Sequence, residues 1–145
     1  MTDFHLAPAF VDTSAPLARL ALCEARLQLD ARWPWIVLIP RRAGLREIAE
    51  LTREERAALI EEIVAAGEAV HAMGAALCQP VEKLNVGALG NITPQLHVHI
   101  VGRRTDDAAW PGPVWGTAGA QAYDAGSLER LKTAARTVLE INSAT

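Results

Sequence analysis

Apolar and polar positions change rhythm several times along this chain, and each rhythm predicts an element. The sharpest alternation is Gln95-Leu96-His97-Val98-His99-Ile100. Successive side chains of a strand point to opposite faces, so Leu96, Val98 and Ile100 line one side and Gln95, His97 and His99 the other. That predicts a strand over 95–102. A slower rhythm holds over 51–77, where Leu59, Ile63, Ala66, Val70, Met73 and Leu77 recur at three- and four-residue steps, as one face of a long helix does. Thr52 and Glu55 precede that stripe at the spacing of a capping box, in which each side chain satisfies a free amide of the first turn.

Shorter signals fill the gaps. The β-branched run Ile36-Val37-Leu38-Ile39, closed by Pro40, predicts a buried strand. Residues 17–29 mix leucine alternation with good helix formers and read mainly as strand, paired antiparallel with 36–40. A turn of helix is expected within 45–51, and a strand interrupted by glycines over 83–90. From Arg103 to Gly126 the chain reads as loop, with Trp110-Pro111-Gly112-Pro113-Val114-Trp115-Gly116 inside it. A last helix is expected over 127–141, capped by Ser127. Strands, a long helix, then strands again predict an α+β fold, with an antiparallel β-sheet, one long helix packed across it and a C-terminal helix. One domain is expected over 1–145, made of an N-terminal arm (1–16), a core (17–104) and a C-terminal loop and helix (105–145).

Composition narrows the partners. The chain has 145 residues, half of them hydrophobic, and a net charge of −3. A basic footprint for nucleic acid is missing, so a nucleic-acid partner is not expected, although local contacts to a phosphate-bearing small molecule stay open. Cys23 and Cys78 form no CxxC and are expected as two reduced, buried thiols. The opening residues lack a secretory pattern, and no apolar run approaches the ~18 residues of a membrane span. A soluble, cytoplasmic protein is expected, without a membrane partner.

His97 and His99 stand about 6.5–7 Å apart along the strand, close enough to converge on one small group. A metal is one choice, but zinc asks for a third protein ligand, and neither His5 in the arm nor His71 on the long helix offers one in the sequence. A phosphate is the other. A neutral imidazole can attack phosphorus while a second, protonated one stabilises the developing charge. The bland alternative is two half-exposed histidines bonded to their neighbours.

The surroundings of the pair shift that balance. Residues 95–101 followed by Arg103 resemble the signature of the histidine triad (HIT) family, in which three histidines alternate with apolar residues. Residues 33–52 resemble its strand, proline and loop into the long helix. Residues 84–100 resemble its asparagine-bearing strand, glycine turn and active strand. The resemblance implies a nucleotide-binding hydrolase that cleaves a phosphoanhydride or phosphoramidate bond at the α-phosphate, as dinucleoside polyphosphate hydrolases do. It implies His97 as the nucleophile of a nucleotidyl-histidine intermediate and His99 as a phosphate contact. It also implies nucleotide contacts at Asp30, Asn85, Asn91 and Trp35, with Asp30 meeting ribose hydroxyls. Two positions depart from the pattern: Gln95 replaces the first triad histidine, and Trp35 stands where many members carry a fourth. Gln cannot carry a proton, so the competing expectation is a catalytically weak or inactive nucleotide-binding or sensor module. No cofactor or bound metal is expected, magnesium entering only with a polyphosphate substrate, and the family implies a homodimer. Trp110 or Trp115 is expected either to stack on a base or to anchor the tail. Arg103 and Arg104 are expected to be solvated or to meet phosphate.

Overall fold

A computed structural model of the protein describes residues 3–143. Its elements are α1 (Pro8–Thr13), β1 (Ser14–Arg19), β2 (Cys23–Gln28), β3 (Trp35–Pro40), a 3₁₀ turn (Ile48–Glu50), α2 (Arg53–Ala76), β4 (Lys83–Gly87), β5 (Val98–Arg103) and α3 (Ala125–Ser143). The strands form one sheet in the order β1-β2-β3-β5-β4, antiparallel at every pairing. This is the α+β architecture that the alternating rhythms predict.

The sheet is covered on both faces, for different purposes. Ala25, Leu27, Ile36, Leu38, Val98 and Ile100 pack against Leu59, Ala66, Val70 and Met73 of α2 and Leu131, Ala135 and Leu139 of α3. On the opposite face Trp35, Val37, Ile39 and Val101 gather Phe10, Trp33 and Val114. All of β3 is therefore buried, which is why its sequence is a continuous apolar run rather than an alternation. At the start of α2 the capping box forms as expected, with the Glu55 amide on Thr52 Oγ1 at 3.1 Å and the Thr52 amide on Glu55 Oε2 at 2.9 Å.

Several expectations need correction. Residues 17–29 are not one strand: the Leu20 amide bonds to the Cys23 carbonyl at 2.8 Å, and this tight turn separates β1 from β2. The spacing Leu17, Leu20, Leu22 breaks period two at that point. The N-terminal arm is shorter than expected, because its last residues, from Ser14, enter the sheet as the edge strand β1. Pro16 sits beside a bulge there, a position where its missing N–H costs nothing. Ser127 does not cap α3; Asp124 accepts from both the Ser127 amide and hydroxyl at 2.8 Å, so the helix opens earlier. Cys23 is buried but Cys78 is exposed, just past the end of α2 with φ of 55°. No helix among the described residues is long and apolar enough to cross a membrane.

Candidate active site

The strand expected from residue 95 opens only at Val98, just after His97, but the alternation holds across 96–100 and turns both imidazoles to the face opposite the long helix. Leu96, Val98 and Ile100 fill the core, so His97 and His99 must point away from it. Their rings lie 4.8 Å apart between centroids. His97 is 6% exposed, with the Phe10 ring edge-on at 4.7 Å. Its Nδ1 sits 2.6 Å from the Gln95 carbonyl oxygen. A carbonyl can only accept, so Nδ1 carries the proton and the lone pair is left on Nε2. Burial also lowers the His97 pKa, against the raising effect of that hydrogen bond.

His99 has the opposite tautomer. The Trp35 indole N–H, which can only donate, reaches His99 Nδ1 at 3.0 Å. The single proton of neutral His99 therefore lies on Nε2. Burial and, behind it, the neighbouring His97 push its pKa down to about 4. At neutral pH one imidazole thus offers a lone pair and the other an N–H. The expectation that the second imidazole would be protonated is not met, because the dry wall of indole and imidazole rings penalises its charge.

The two histidines open onto a cavity of about 420 Å³, shared with Gln28, Asp30, Arg32, Trp35, Asn91 and Trp115. Asp30 is buried, and its carboxylate is already engaged. Oδ1 accepts from Arg32 Nε at 2.9 Å and Oδ2 from Arg32 Nη2 at 2.8 Å. Burial opposes its charge, yet these bonds and the backbone amides of Arg32 and Gln121 hold its pKa below the usual range. What faces the cavity is an Asp–Arg pair, not a free carboxylate. Asn91 is exposed at the rim. The Trp115 ring stands 5.7 Å from His99, so the C-terminal segment folds over the chain's own site. It fits because β4 carries Gly87, where a Cβ would come within 3.0 Å of the Trp115 ring.

Two expected site residues are used elsewhere. Gln95 is turned to the N-terminal arm: its Oε1 accepts from the Ala7 amide and its Nε2 donates to the His5 carbonyl, both at 2.8 Å. Asn85 accepts from Arg103 Nη1 at 2.8 Å and does not line the cavity. Arg103 is neither solvated nor on the cavity; it is 1% exposed and bound to Asp107. Trp110 lies over Arg103, 5.6 Å from its guanidinium carbon, rather than beside the histidines. Gln28, Arg32 and Phe10 are site residues that sequence reasoning missed. Arg32, two residues after Asp30, had a signal in its spacing; Phe10 had none, since only the fold brings it to His97. Among the described residues, no cluster of three His, Cys, Asp or Glu could hold a metal ion.

An imidazole pair of complementary tautomers, opening on a cavity of an α+β domain, defines the candidate site. The comparisons with known proteins define the family. The HIT domain family model matches residues 11–106. A histidine triad protein from Bradyrhizobium japonicum is 36% identical, with 95% of this chain and 99% of that one covered at a TM-score of 0.88. A second, from Marinobacter aquaeolei, is 36% identical over 97% and 98% at 0.87. A third, from Sinorhizobium meliloti, is 39% identical over 92% and 96% at 0.81. Among curated proteins nothing matches. The chain belongs to the HIT family, whose members are generally nucleotide-binding hydrolases and transferases.

Proposed function

We propose that the protein is a nucleotide hydrolase that cleaves a phosphoanhydride or phosphoramidate bond at the α-phosphate, with His97 as nucleophile and His99 as the donor to a phosphate oxygen. The observation that carries this reading is the hydrogen bond from His97 Nδ1 to the Gln95 carbonyl, which leaves the Nε2 lone pair to attack. Attack forms a bond from Nε2 to phosphorus and breaks the bond from phosphorus to the leaving group. The intermediate carries a cationic ring, so water displaces His97 as neutral imidazole and gives its proton to solvent. The His99 Nε2–H acts as a fixed dipole on the charge that develops at phosphorus. Asn91 and Trp115 flank the nucleoside, and the Arg32–Asp30 pair meets its ribose or phosphate through Arg32. Magnesium enters with a polyphosphate substrate. A homodimer and a cytoplasmic site of action belong to the same proposal.

A second reading, a nucleotide-binding module without turnover, is favoured by Gln95, whose side chain is committed to the arm. The two separate cleanly. Wild-type protein incubated with diadenosine tetraphosphate should release AMP and, after rapid quench, carry an adenylyl adduct on His97 by mass spectrometry. His97→Ala should do neither. AMP binding by the wild type without release or adduct would leave the binding module standing and remove the hydrolase.

A further inference from the structure

Among the described residues, four titratable side chains line the cavity: Asp30, Arg32, His97 and His99. Each can be asked whether it could hand a proton to a departing group. His97 keeps its one proton on Nδ1, held by the Gln95 carbonyl at 2.6 Å and turned away from the attacking nitrogen. His99 cannot take up a second proton at Nδ1 without losing the indole bond from Trp35 at 3.0 Å. Its remaining Nε2–H belongs to a neutral imidazole, which donates a hydrogen bond but not a proton. Asp30 is ionised and bonded to Arg32 through both oxygens, and a guanidinium does not release its proton. The first triad position, where a histidine would carry a proton, holds Gln95, whose amide is clamped to His5 and Ala7 of the arm. Among the described residues, the cavity therefore has a nucleophile and a hydrogen-bond donor but lacks a general acid.

The chemistry of the leaving group follows. When the bond to phosphorus breaks in a phosphoanhydride, the electron pair moves to a bridging oxygen, and a phosphate or polyphosphate anion departs at neutral pH without a proton. When the bond broken is P–N, the pair would remain on an amide anion, far too basic to leave unless nitrogen is protonated as it departs. We propose that this site is specific for nucleotidyl phosphoanhydrides and discriminates against nucleoside phosphoramidates, because Trp35 and Gln95 together remove every proton donor from it. The inference rests on the hydrolase reading above and narrows its substrate class. It also gives Trp35 a role as a positioning residue: the indole fixes the His99 tautomer.

The test compares kcat/KM for diadenosine tetraphosphate and for an alkylamine phosphoramidate of AMP at pH 7. A series of adenosine 5′-aryl phosphates graded in phenol acidity accompanies them. General acid catalysis is worth at least ~100-fold, so wild type should prefer the anhydride by at least ~100-fold and should slow steeply as the phenol becomes less acidic. Trp35→Phe removes the indole N–H and frees His99 Nδ1 to accept a proton; the phosphoramidate should then gain on the anhydride and the aryl series should flatten. Comparable wild-type rates on both substrates, or a flat aryl series, would overturn the inference while leaving a hydrolase in place. Turnover of none of these substrates would overturn the hydrolase reading, and the inference with it. The wild-type series decides the question even if Trp35→Phe fails to fold.

Discussion

Removing Asp107 should strand a charge in the protein interior, and the cost can be set from the geometry. Arg103 and Asp107 are withdrawn from water, with side chains 1% and 2% exposed. Asp107 accepts from Arg103 Nε at 2.8 Å and Nη2 at 3.0 Å, and from the amides of Arg104, Ala109 and Trp110. In Asp107→Ala the guanidinium keeps only Asn85 Oδ1 and the Gly112 carbonyl, both neutral acceptors. Breaking a buried pair from one side costs about 3–5 kcal/mol, a large part of the ~5–15 kcal/mol that holds a domain together. At ~2–4 °C per kcal/mol for a chain of this size, Tm should fall by roughly 6–20 °C. Calorimetry or circular dichroism melts would measure it. The double variant Arg103→Met/Asp107→Leu should recover much of the loss, since no unpaired charge remains. Burial opposes the Asp107 charge, but the Arg103 and amide bonds hold its pKa far below the usual range. A depressed folded pKa means the pair's contribution is whole above the unfolded value near ~3.9 and fades only as pH falls through the folded one. The gap between wild type and Asp107→Ala should therefore be constant from pH 5 upward. A Tm drop under about 2 °C, or a double variant no better than the single, would refute the reasoning.

Two further outcomes concern the histidine cavity and its wall. In Gly87→Ala the new methyl would press on the Trp115 ring at 3.0 Å; overpacking of about 1–3 kcal/mol is expected, together with a moved Trp115 indole N–H resonance, and an unshifted resonance would mean the ring is not held there. His99 is depressed to about 4 and His97 is lowered as well, so the unfolded chain binds protons first; stability should fall by up to about 1.4 kcal/mol per pH unit for each histidine as pH drops below ~6.5. Urea midpoints that stay level between pH 7 and 5 would contradict this, as would a His99 ring that titrates near 6.5.

The sheet was legible because period two and period 3.6 are written in consecutive residues. Leu96, Val98 and Ile100 fix which way His97 and His99 point, and Thr52 with Glu55 fixes where α2 begins. The β1–β2 turn was not legible, because Leu20, Ala21 and Leu22 contain no turn-forming residue; the Leu20 to Cys23 bond, the Glu62 carboxylate on the Leu22 and Cys23 amides, and Arg41 on the Leu20 and Ala21 carbonyls define it. The site divides along the same line. The direction in which both imidazoles point follows from the alternation, whereas their tautomers depend on partners that no local pattern names. Trp35 meets His99 through the β3–β5 register, in which Trp35 lies opposite Val101 and Val37 opposite His99. Gln95 looks from the sequence like a defective histidine. Its contacts make it something else, a side chain that donates and accepts at once to the backbone of His5 and Ala7. That two-point grip stands at the base of the arm that carries Phe10 onto His97. The position where the family signature carries a histidine anchors the wall of His97 here, so Gln95→His would add a titratable group only by releasing the arm. The geometry of this site is therefore set by what Trp35 and Gln95 hold still as much as by the two imidazoles beside them.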